Sequence, residues 1–385
     1  MLFSNKSTYP IGLDISDLSL KLVQLNKIGN KIKIQAMGKI NLPHGLIDNG
    51  EIKNQEKVIK AIKKLIADPK YGKVSPGEVI ACLPETKTFI KLIEVDKTPN
   101  PISEIIGNEI EKHVPMPINE IFYDWQIIEE HSDKQLILIG AVPQNIVNQY
   151  TALLDETKLS TVALEIEPIS ICRSLLNEES PKFKSRGENY GIIDIGAKRT
   201  SMIFYAKNTI LFTVSMPTSG QDITNNIAKA LDIKTKQAEK AKIICGLNKN
   251  KAQGIIKDIL TDTVKELMKK IKEAIEFYNN NYSDQGPIKQ ILLCGGGANI
   301  NNLDKIISQD IDITVKLSNP LINLTEAREK FSKILTEKHS LETNFIKTQK
   351  KHKAKEKTLP ITQNAGLTFT TAIGLALRGM FIEEL

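Results

Sequence analysis

The apolar positions of this chain alternate between the period of strands and the period of helices. Residues 9–42 are predicted to form three strands, with a hairpin turn at Gly29-Asn30. A helix is predicted over 56–66, where apolar residues recur at helical spacing, and a buried strand over 79–83. Strands that alternate with helices in this way favour an α/β fold.

A later stretch, residues 190–207, predicts another hairpin. An apolar run ends on Asp194, a polar turn follows at 196–199, and a second apolar run returns. The first hairpin has the same layout, since its apolar run ends near Asp14 before a short polar turn. We interpret this recurrence as an internal duplication.

The tips of both hairpins carry residues suited to a phosphate. Gly196 has no Cβ, so the turn can approach an anion closely with its backbone N–H groups pointing at it. The carboxylates of Asp14 and Asp194 can hold Mg²⁺ through water, because Mg²⁺ keeps much of its hydration shell. These turns therefore predict a site for a phosphate and a metal ion.

A third element follows over residues 291–299, where a strand is predicted to end in a Gly-Gly-Gly-Ala turn before an amphipathic helix. Two acidic hairpins and this turn resemble the actin-like superfamily. The resemblance implies two lobes built from duplicated ribonuclease-H-like domains, with ATP or ADP and Mg²⁺ between them. It assigns nucleotide binding to Asp14, Ser16, Asp17, Ser19, Lys21, Asp194, Gly196, Ala197, Lys198, Thr200, Gly295, Gly296, Gly297 and Ala298.

Two helices add further candidates from the same resemblance. A Glu-Pro pair opens the first connecting helix of actin-like proteins behind the phosphates, which makes Glu167 the catalytic candidate. The alternative is an acidic first-turn residue beside a proline that starts a helix. A Glu-x-x-Lys pair reaches the nucleoside in the superfamily and corresponds here to Glu239 and Lys242. An exposed ion pair three residues apart is the alternative.

The predicted elements divide the chain into two lobes and an insertion. Residues 87–160 interrupt the doubled pattern with a small β-α-β-β-α unit. The closing stretch is rich in small residues, and Gly374 would let a helix approach the first lobe closely. The predicted divisions are a first lobe at 1–86 and 161–186, a second lobe at 187–364 with a helical subdomain at 232–286 and a basic loop at 327–360, and a C-terminal helix at 365–385.

Composition and charge exclude several classes of protein. The 385 residues carry a net charge of +7, with 41% hydrophobic and 5% aromatic residues, which is ordinary for a globular protein. The four cysteines have no Cys-x-x-Cys spacing, so we expect buried, reduced thiols in a cytosolic compartment. No apolar run reaches the length of a membrane span, so we expect a cytoplasmic protein that meets the membrane only through a partner.

Most of the positive charge lies in one segment. The segment from Lys338 to Lys357 contains seven lysines and two acidic residues, Glu342 and Glu356. Phe345 is the segment's one aromatic residue. A nucleic-acid-binding face would combine spread cations with stacking aromatics, so we expect no nucleic-acid partner. A solvated loop is one interpretation of this segment, and a patch for anionic lipid or an acidic partner is the other.

Several further stretches resemble the PilM family of type IV pilus assembly proteins, an actin-like family. They lie at 83–94, 110–120 with its Pro-Met-Pro, 275–278 and 372–379. The resemblance implies a cytoplasmic ATP-binding scaffold that binds the N-terminal peptide of the membrane protein PilN in a groove between the first lobe and the insertion. The family links the inner-membrane alignment complex to the pilus motor.

One departure from that family lies in the first hairpin, where Ser16-Asp17 replaces the usual Gly-Ser or Gly-Thr. A carboxylate about 4 Å from a phosphate oxygen would cost about 4 kcal/mol at an effective dielectric of 20. Either Asp17 points away from the phosphate or nucleotide binds weakly. Hydrolysis stays open, with weak or absent ATPase activity expected, because the acidic candidates are limited to Asp14, Glu167 and Asp194.

Three alternatives share the fold. A small-molecule kinase would need a further catalytic aspartate between the lobes, and the sequence offers none in a glycine-rich loop. FtsA ends in a basic amphipathic membrane helix, whereas residues 380–385 are short and acidic. The cytoplasmic part of GspL normally continues into a transmembrane helix, which this sequence lacks.

Overall fold

The computed structural model describes residues 8–29, 31–99, 101–176, 188–324 and 361–381. Within them the strands are β1 Ile11–Ser16, β2 Ser19–Ile28, β3 Lys31–Asn41, β4 Ile47–Asp48, β5 Glu51–Ile52, β6 Tyr71–Gly72, β7 Glu78–Leu83, β8 Phe89–Asp96, β9 Ile121–Glu130, β10 Lys134–Pro143, β11 Ser160–Ile166, β12 Asn189–Ile195, β13 Thr200–Ala206, β14 Thr209–Met216, β15 Ile288–Cys294 and β16 Thr314–Leu317. The α-helices are α1 Gln55–Ala67, α2 Ile102–His113, α3 Gln144–Glu156, α4 Glu167–Leu175, α5 Gly220–Leu231, α6 Thr235–Ile244, α7 Ile255–Asn281, α8 Leu303–Ile311, α9 Gln363–Gly366 and α10 Thr370–Arg378.

Each lobe contains the same arrangement of strands. In the first lobe β1 pairs antiparallel with β2 and parallel with β7, in a sheet of order β11-β7-β1-β2-β3-β6. In the second lobe β12 pairs antiparallel with β13 and parallel with β15. Both acidic hairpins thus have a parallel strand beside the strand that bears the aspartate. This arrangement confirms the duplicated two-lobe α/β fold.

Amphipathic helices cover these sheets because their apolar positions fall on one face. In α1 the residues Val58, Ile62 and Leu65 are buried, at the spacing expected of one helix face. The long α7 buries a stripe of apolar residues against the second lobe. It begins at Ile255, eight residues before the periodic stretch that starts at Thr263, and its added turns bury Ile256 and Leu260.

The insertion has the predicted order of elements, namely β8, α2, β9, β10 and α3. It has a core of its own, in which Ile106 and Ile110 of α2 pack on the sheet residues Ile137 and Ile139. Its strands also extend the second lobe's sheet, whose order is β16-β15-β12-β13-β14-β8-β10-β9. The sequence did not predict this junction, at which Phe212 pairs with a residue of β8.

The C-terminal helix α10 returns to the first lobe, as its small residues predicted. A Cβ at Gly374 would overlap the carbonyl oxygen of Ser170 in α4, and a Cβ at Gly12 would overlap the backbone of α10. The buried Glu165 accepts hydrogen bonds from Arg173, which also donates to the carbonyl oxygen of Gly374 at 3.2 Å. These contacts fasten α10 between β1 and α4.

Three other expectations from the sequence concern the basic segment, the cysteines and membrane-spanning helices. The basic segment 338–357 and the whole of the loop predicted at 327–360 lie outside the described residues. All four cysteines are free, and Cys82, Cys172 and Cys294 are buried as expected. None of the described helices combines the length and the apolar character needed to cross a bilayer.

Candidate functional site

A cavity of about 820 Å³ lies between the two lobes. Both acidic hairpins and the glycine turn contribute to its wall. The predicted residues that line it are Asp14, Ser16, Asp17, Ser19, Lys21, Glu167, Asp194, Gly196, Ala197, Lys198, Glu239, Lys242, Gly295, Gly296 and Gly297. The fold thus brings together residues that are up to 283 positions apart, from Asp14 to Gly297.

Two predicted residues do not line this cavity. Thr200 is fully buried behind the second hairpin, where its hydroxyl donates to the carbonyl oxygen of Thr218 at 2.7 Å. Ala298 is buried in the core of the second lobe. The motif predicted them because they stand next to cleft residues in sequence, but the strand pleat and the turn direct them inward. Both therefore support the wall from behind.

The first hairpin places a buried ion pair at the floor of the cleft. Asp14, at the end of β1, accepts a hydrogen bond from the ammonium of Lys21 on β2 at 2.7 Å. Burial alone would lower the pKa of Lys21, but Asp14, Glu167 and Asp194 together outweigh it and raise that pKa. Lys21 is therefore a permanent cation facing three carboxyl groups. Its antiparallel register partner Lys39, which the motif did not reveal, also lines the cleft.

The second hairpin carries a carboxyl group without such a cation. The thiol of Cys294 donates to Oδ1 of Asp194 at 3.6 Å, and a Cβ on Gly295 would overlap that same oxygen. Gly295 also has a φ of +77°, which favours glycine. Burial raises the pKa of Asp194 to about 6, and Asp14 adds to the increase while Lys21 and the thiol oppose it.

The turn of the second hairpin uses part of its backbone internally. The N–H of Gly196 donates to the carbonyl oxygen of Arg199 at 2.9 Å, so it is not free to bind an anion as expected. The first N–H groups of α5, from Gly220 and Gln221, donate to the carbonyl oxygens of Gly196 and Ala197. The tip is therefore fixed against α5 before any ligand arrives.

Glu167 faces the cleft at the start of α4, as the resemblance implied. Its carboxyl group accepts a hydrogen bond from the hydroxyl of Thr371 on α10 at 3.1 Å. Burial raises the pKa of Glu167 well above its ordinary value, and Asp14, Asp194 and Glu85 raise it further. Burial and the neighbouring carboxyl groups therefore favour the protonated form of Glu167.

Sequence reasoning missed Glu85, which follows Pro84 after β7. Burial raises the pKa of Glu85 to about 7, and Asp194 across the cleft raises it further while Arg199 opposes the increase. Its signal in the sequence was its position at the end of a buried strand, where parallel strands direct residues toward a crevice. Glu85 thus adds a further carboxyl group to the cleft wall, which also contains Asp14, Asp194 and Glu167.

Glu239 and Lys242 form a connected pair at the outer part of the cleft. Lys242 is 3% exposed and donates to the carbonyl oxygen of Gly220 at 2.9 Å and to the hydroxyl of Thr224 at 2.8 Å. It also pairs with Glu239 at 2.6 Å, so the ion pair of the alternative interpretation is present, but its lysine is buried rather than exposed. The half-exposed carboxylate of Glu239 nevertheless lines the cleft, so the ion pair and a nucleoside contact are compatible.

The carboxylate of Asp17 is already engaged. Its two oxygens accept hydrogen bonds from the backbone N–H groups of Asn49 and Gly50, each at 3.0 Å. These donors lie in the turn between β4 and β5, a hairpin that the sequence did not predict. The sequence left open whether Asp17 points away from the phosphate or weakens nucleotide binding. The structure shows the Asp17 side chain turned toward this hairpin.

The cleft carboxylates suit a hydrated cation better than direct coordination. No group of three His, Cys, Asp or Glu side chains in the described part of the chain is close enough to hold a metal ion. Asp14 and Asp194 face each other across the cavity and influence each other's charge. A cation bound there would contact them through water, which is how Mg²⁺ commonly binds.

A second, smaller cavity of about 260 Å³ lies beside the cleft. Glu51 lines it from the first lobe, and Lys87 lines it from the start of the insertion. The insertion supplies its other residues, namely Met116, Glu120, Ile121, Pro143, Asn145 and Ile146. We call this cavity the groove, and it combines an apolar floor with charged edges.

Comparisons with known proteins agree with this architecture. The family model described as type IV pilus assembly protein PilM matches residues 12–341. A solved structure described as a PilM-PilN type IV pilus biogenesis complex is similar over 96% of this chain and 98% of that chain, at 22% identity and a TM-score of 0.74.

Two other similar structures come from different assemblies. The ethanolamine utilization protein EutJ of Carboxydothermus hydrogenoformans matches 96% of this chain and 89% of its own, at 13% identity and a TM-score of 0.54. MreB 5 of Spiroplasma citri bound to AMPPNP matches 86% of this chain and 99% of its own, at 15% identity and a TM-score of 0.50. At such identities the similarity concerns the fold.

Proposed function

The chain belongs to the PilM family of type IV pilus assembly proteins, and from that premise we propose that it is an actin-like scaffold controlled by ATP. It binds ATP or ADP with Mg²⁺ in the cleft and the N-terminal peptide of a PilN-like membrane protein in the groove. It works in the cytoplasm at the inner face of the membrane, attached through that partner. The observation that carries the proposal is the family match over a chain whose two duplicated hairpins line one cavity.

The cleft offers a role for each group. Lys21 and the second hairpin tip contact the phosphates, while Glu239 and Lys242 face the nucleoside. Bound Mg²⁺ would neutralise phosphate charge, with Asp14 and Asp194 holding its water ligands. Glu167, whose pKa is raised by burial and by the neighbouring carboxyl groups, stays the catalytic candidate, and weak or absent hydrolysis stays the expectation.

The groove supports peptide binding through its shape and chemistry. An extended peptide gains affinity by placing apolar side chains in pockets and by hydrogen bonding its backbone. Met116, Ile121 and Ile146 supply apolar contact, and Glu51 and Lys87 supply charges at the edge. The edge strand β9 begins at Ile121 in the wall of the groove.

Calorimetry tests both parts of this proposal. We expect ATP with Mg²⁺ to bind with one site per chain, and a synthetic PilN N-terminal peptide from the same organism to bind with one site. Replacing the partly buried Met116 by Glu places a charge in the groove and should abolish peptide binding while ATP still binds. The matched control is Ile127→Glu, on the exposed part of β9. Absence of ATP binding at millimolar concentration would contradict the nucleotide assignment.

The kinase alternative gains no support from the cleft. A sugar or acetate kinase would place a catalytic aspartate near its substrate. The aspartates that line the cleft within the described residues are Asp14, Asp17 and Asp194, and each has a place in the hairpins already described. We therefore retain the scaffold as the proposed function.

A further inference from the structure

One thin wall separates the nucleotide cleft from the groove. The turn of the β4–β5 hairpin, Asn49-Gly50, faces the cleft, and the next residue, Glu51, faces the groove. The segment after β7 also contributes to both cavities, since Glu85 lines the cleft and Lys87 lines the groove. A ligand in either cavity therefore contacts a segment whose neighbouring residue lines the other cavity.

Asp17 holds this wall from the cleft side. The two hydrogen bonds from Asn49 and Gly50 to its carboxylate are charge-assisted and therefore stronger than neutral ones. The hydroxyl of Thr86 donates to the carbonyl oxygen of Asn49 at 3.1 Å, which ties the hairpin to the second segment of the wall. The position of the hairpin and the direction of the Asp17 carboxylate are thus linked.

The insertion holds the same hairpin from the groove side. The buried hydroxyl of Tyr150 donates to the carbonyl oxygen of Gly50 at 3.0 Å, and the N–H of Ile52 donates to Oε1 of Gln149 at 2.9 Å. Lys87 donates to the carboxylate of Glu51. A Cβ at Gly50 would overlap Pro84, so the hairpin is packed closely against the other segment of the wall.

The direction of the Asp17 carboxylate matters for an anionic ligand. Asp17 lines the cleft in the turn of the first hairpin, directly after Ser16. A carboxylate that points toward a phosphate repels it, whereas a carboxylate bound to two backbone N–H groups is turned away and partly neutralised. Nucleotide affinity therefore depends on how firmly the hairpin keeps the Asp17 carboxylate bound to the two backbone N–H groups and turned away from the phosphate.

From these contacts we propose that Asp17 is a positioning residue that couples the groove to the cleft. A peptide that binds along Glu51 and Lys87 immobilises the hairpin, keeps the Asp17 carboxylate turned from the phosphates and so strengthens nucleotide binding. By linkage, bound nucleotide strengthens peptide binding by the same factor. The inference rests on the proposed function, because it requires a nucleotide in the cleft and a peptide in the groove.

Titration of the wild-type chain gives the first test. ATP with Mg²⁺ is titrated into the protein alone and into the protein saturated with the PilN N-terminal peptide, and the peptide is titrated with and without ATP. We expect each ligand to raise the affinity of the other by the same factor, of about fivefold or more. Equal ATP affinities in the two titrations would overturn the coupling, even though both ligands bind.

A charge-removing variant tests the role of Asp17. Asp17→Asn keeps the shape and one acceptor oxygen but removes the repulsion, so ATP should bind more tightly than to wild type without peptide. The coupling factor should fall toward one, while peptide still binds. A merely structural role predicts weaker ATP binding and no change in coupling. The matched control is Asp68→Asn, an exposed aspartate after α1 outside both cavities, which should retain wild-type coupling.

Failure of the inference and failure of the proposed function are distinguishable. If ATP or the peptide does not bind to wild type at all, the proposed function fails. If both bind and Asp17→Asn keeps the full coupling factor, Asp17 is not the coupling residue. If Asp17→Asn does not fold, Asp17→Ser takes its place, and the wild-type titrations still decide whether the two cavities are coupled.

Discussion

The two acidic hairpins have the same backbone arrangement and opposite electrostatics. In the first lobe Asp14 is paired with the buried ammonium of Lys21. In the second lobe no lysine or arginine of the described residues lies within ion-pair distance of Asp194, which accepts a hydrogen bond from the thiol of Cys294. Duplication thus preserved the strands while the charges diverged.

This difference shows which of the two aspartates has a cationic partner supplied by the protein itself. The first half carries its own cation, because Lys21 pairs with the Asp14 carboxylate. The second half holds a carboxyl group whose pKa is raised to about 6, chiefly by burial, so burial disfavours its ionised form. A cation that arrives with the nucleotide would relieve the second half more than the first.

Breaking the pair in the first lobe should have the largest effect. Lys21→Met removes the ammonium and leaves Asp14, which is 3% exposed, without its cation. Loss of one partner of a buried pair costs about 3–5 kcal/mol. We expect the free energy of unfolding, measured by urea denaturation at neutral pH, to fall by about that amount.

The matched control for this variant is Lys60→Met on α1. Lys60 also pairs with a carboxylate, that of Glu56, but both side chains are largely exposed, so the change should stay within about 0.5 kcal/mol. Similar losses in the two variants would show that burial of the first-lobe pair carries no special weight.

Removing the carboxylate in the second lobe should have the opposite sign. The pKa of Asp194 rises from 3.8 to about 6 on folding, which corresponds to at most about 3 kcal/mol against the ionised form. The folded state binds the extra proton, so wild-type stability falls as pH rises between these two values and is level above them. Asp194→Asn should therefore stabilise the ligand-free protein at about pH 8 and have little effect near pH 4.

Urea denaturation of both proteins across that pH range measures this effect. The control is Asp262→Asn, whose side chain is exposed. A gain in stability that does not grow with pH would contradict the assigned pKa. A loss at pH 8 would indicate that Asp194 has a cationic partner in solution.

The thiols should have the smallest effect. Cys82 donates to Asp14 at 3.8 Å and Cys294 donates to Asp194 at 3.6 Å, so both halves have a thiol beside the aspartate. Since Asp14 also has Lys21, we expect Cys294→Ser to change ATP affinity more than Cys82→Ser does. Calorimetry should show a difference of only a few-fold, and a larger effect at Cys82 would reverse the comparison between the lobes.

The sequence predicted the strands and helices well where periodicity was long. The hairpins that bear Asp14 and Asp194, the insertion and the close contact at Gly374 follow from local patterns of apolar and small residues. Sequence reasoning missed the short elements, because two-residue strands such as β4 and β5 have no period to detect. It also missed the pairing of β14 with β8, because tertiary packing determines which strands are neighbours.

The site was predictable only as far as motifs extend. Lys21 and Asp194 belong to recognisable turns, so their place in the cleft followed from the resemblance. Glu85 belongs to no motif, and only the crossing of the chain from β7 toward the insertion brings it near Asp194. The direction of the Asp17 carboxylate depended on the β4–β5 turn, which no local signal predicted.

The central claim is that both hairpins share one polyphosphate. A structure determined with AMPPNP and Mg²⁺ tests it most directly. We expect the phosphates to lie between the turns that follow Asp14 and Asp194, with the Asp17 carboxylate still bound to Asn49 and Gly50. Phosphates bound outside this cavity, or contacting only one of the two hairpins, would contradict the account.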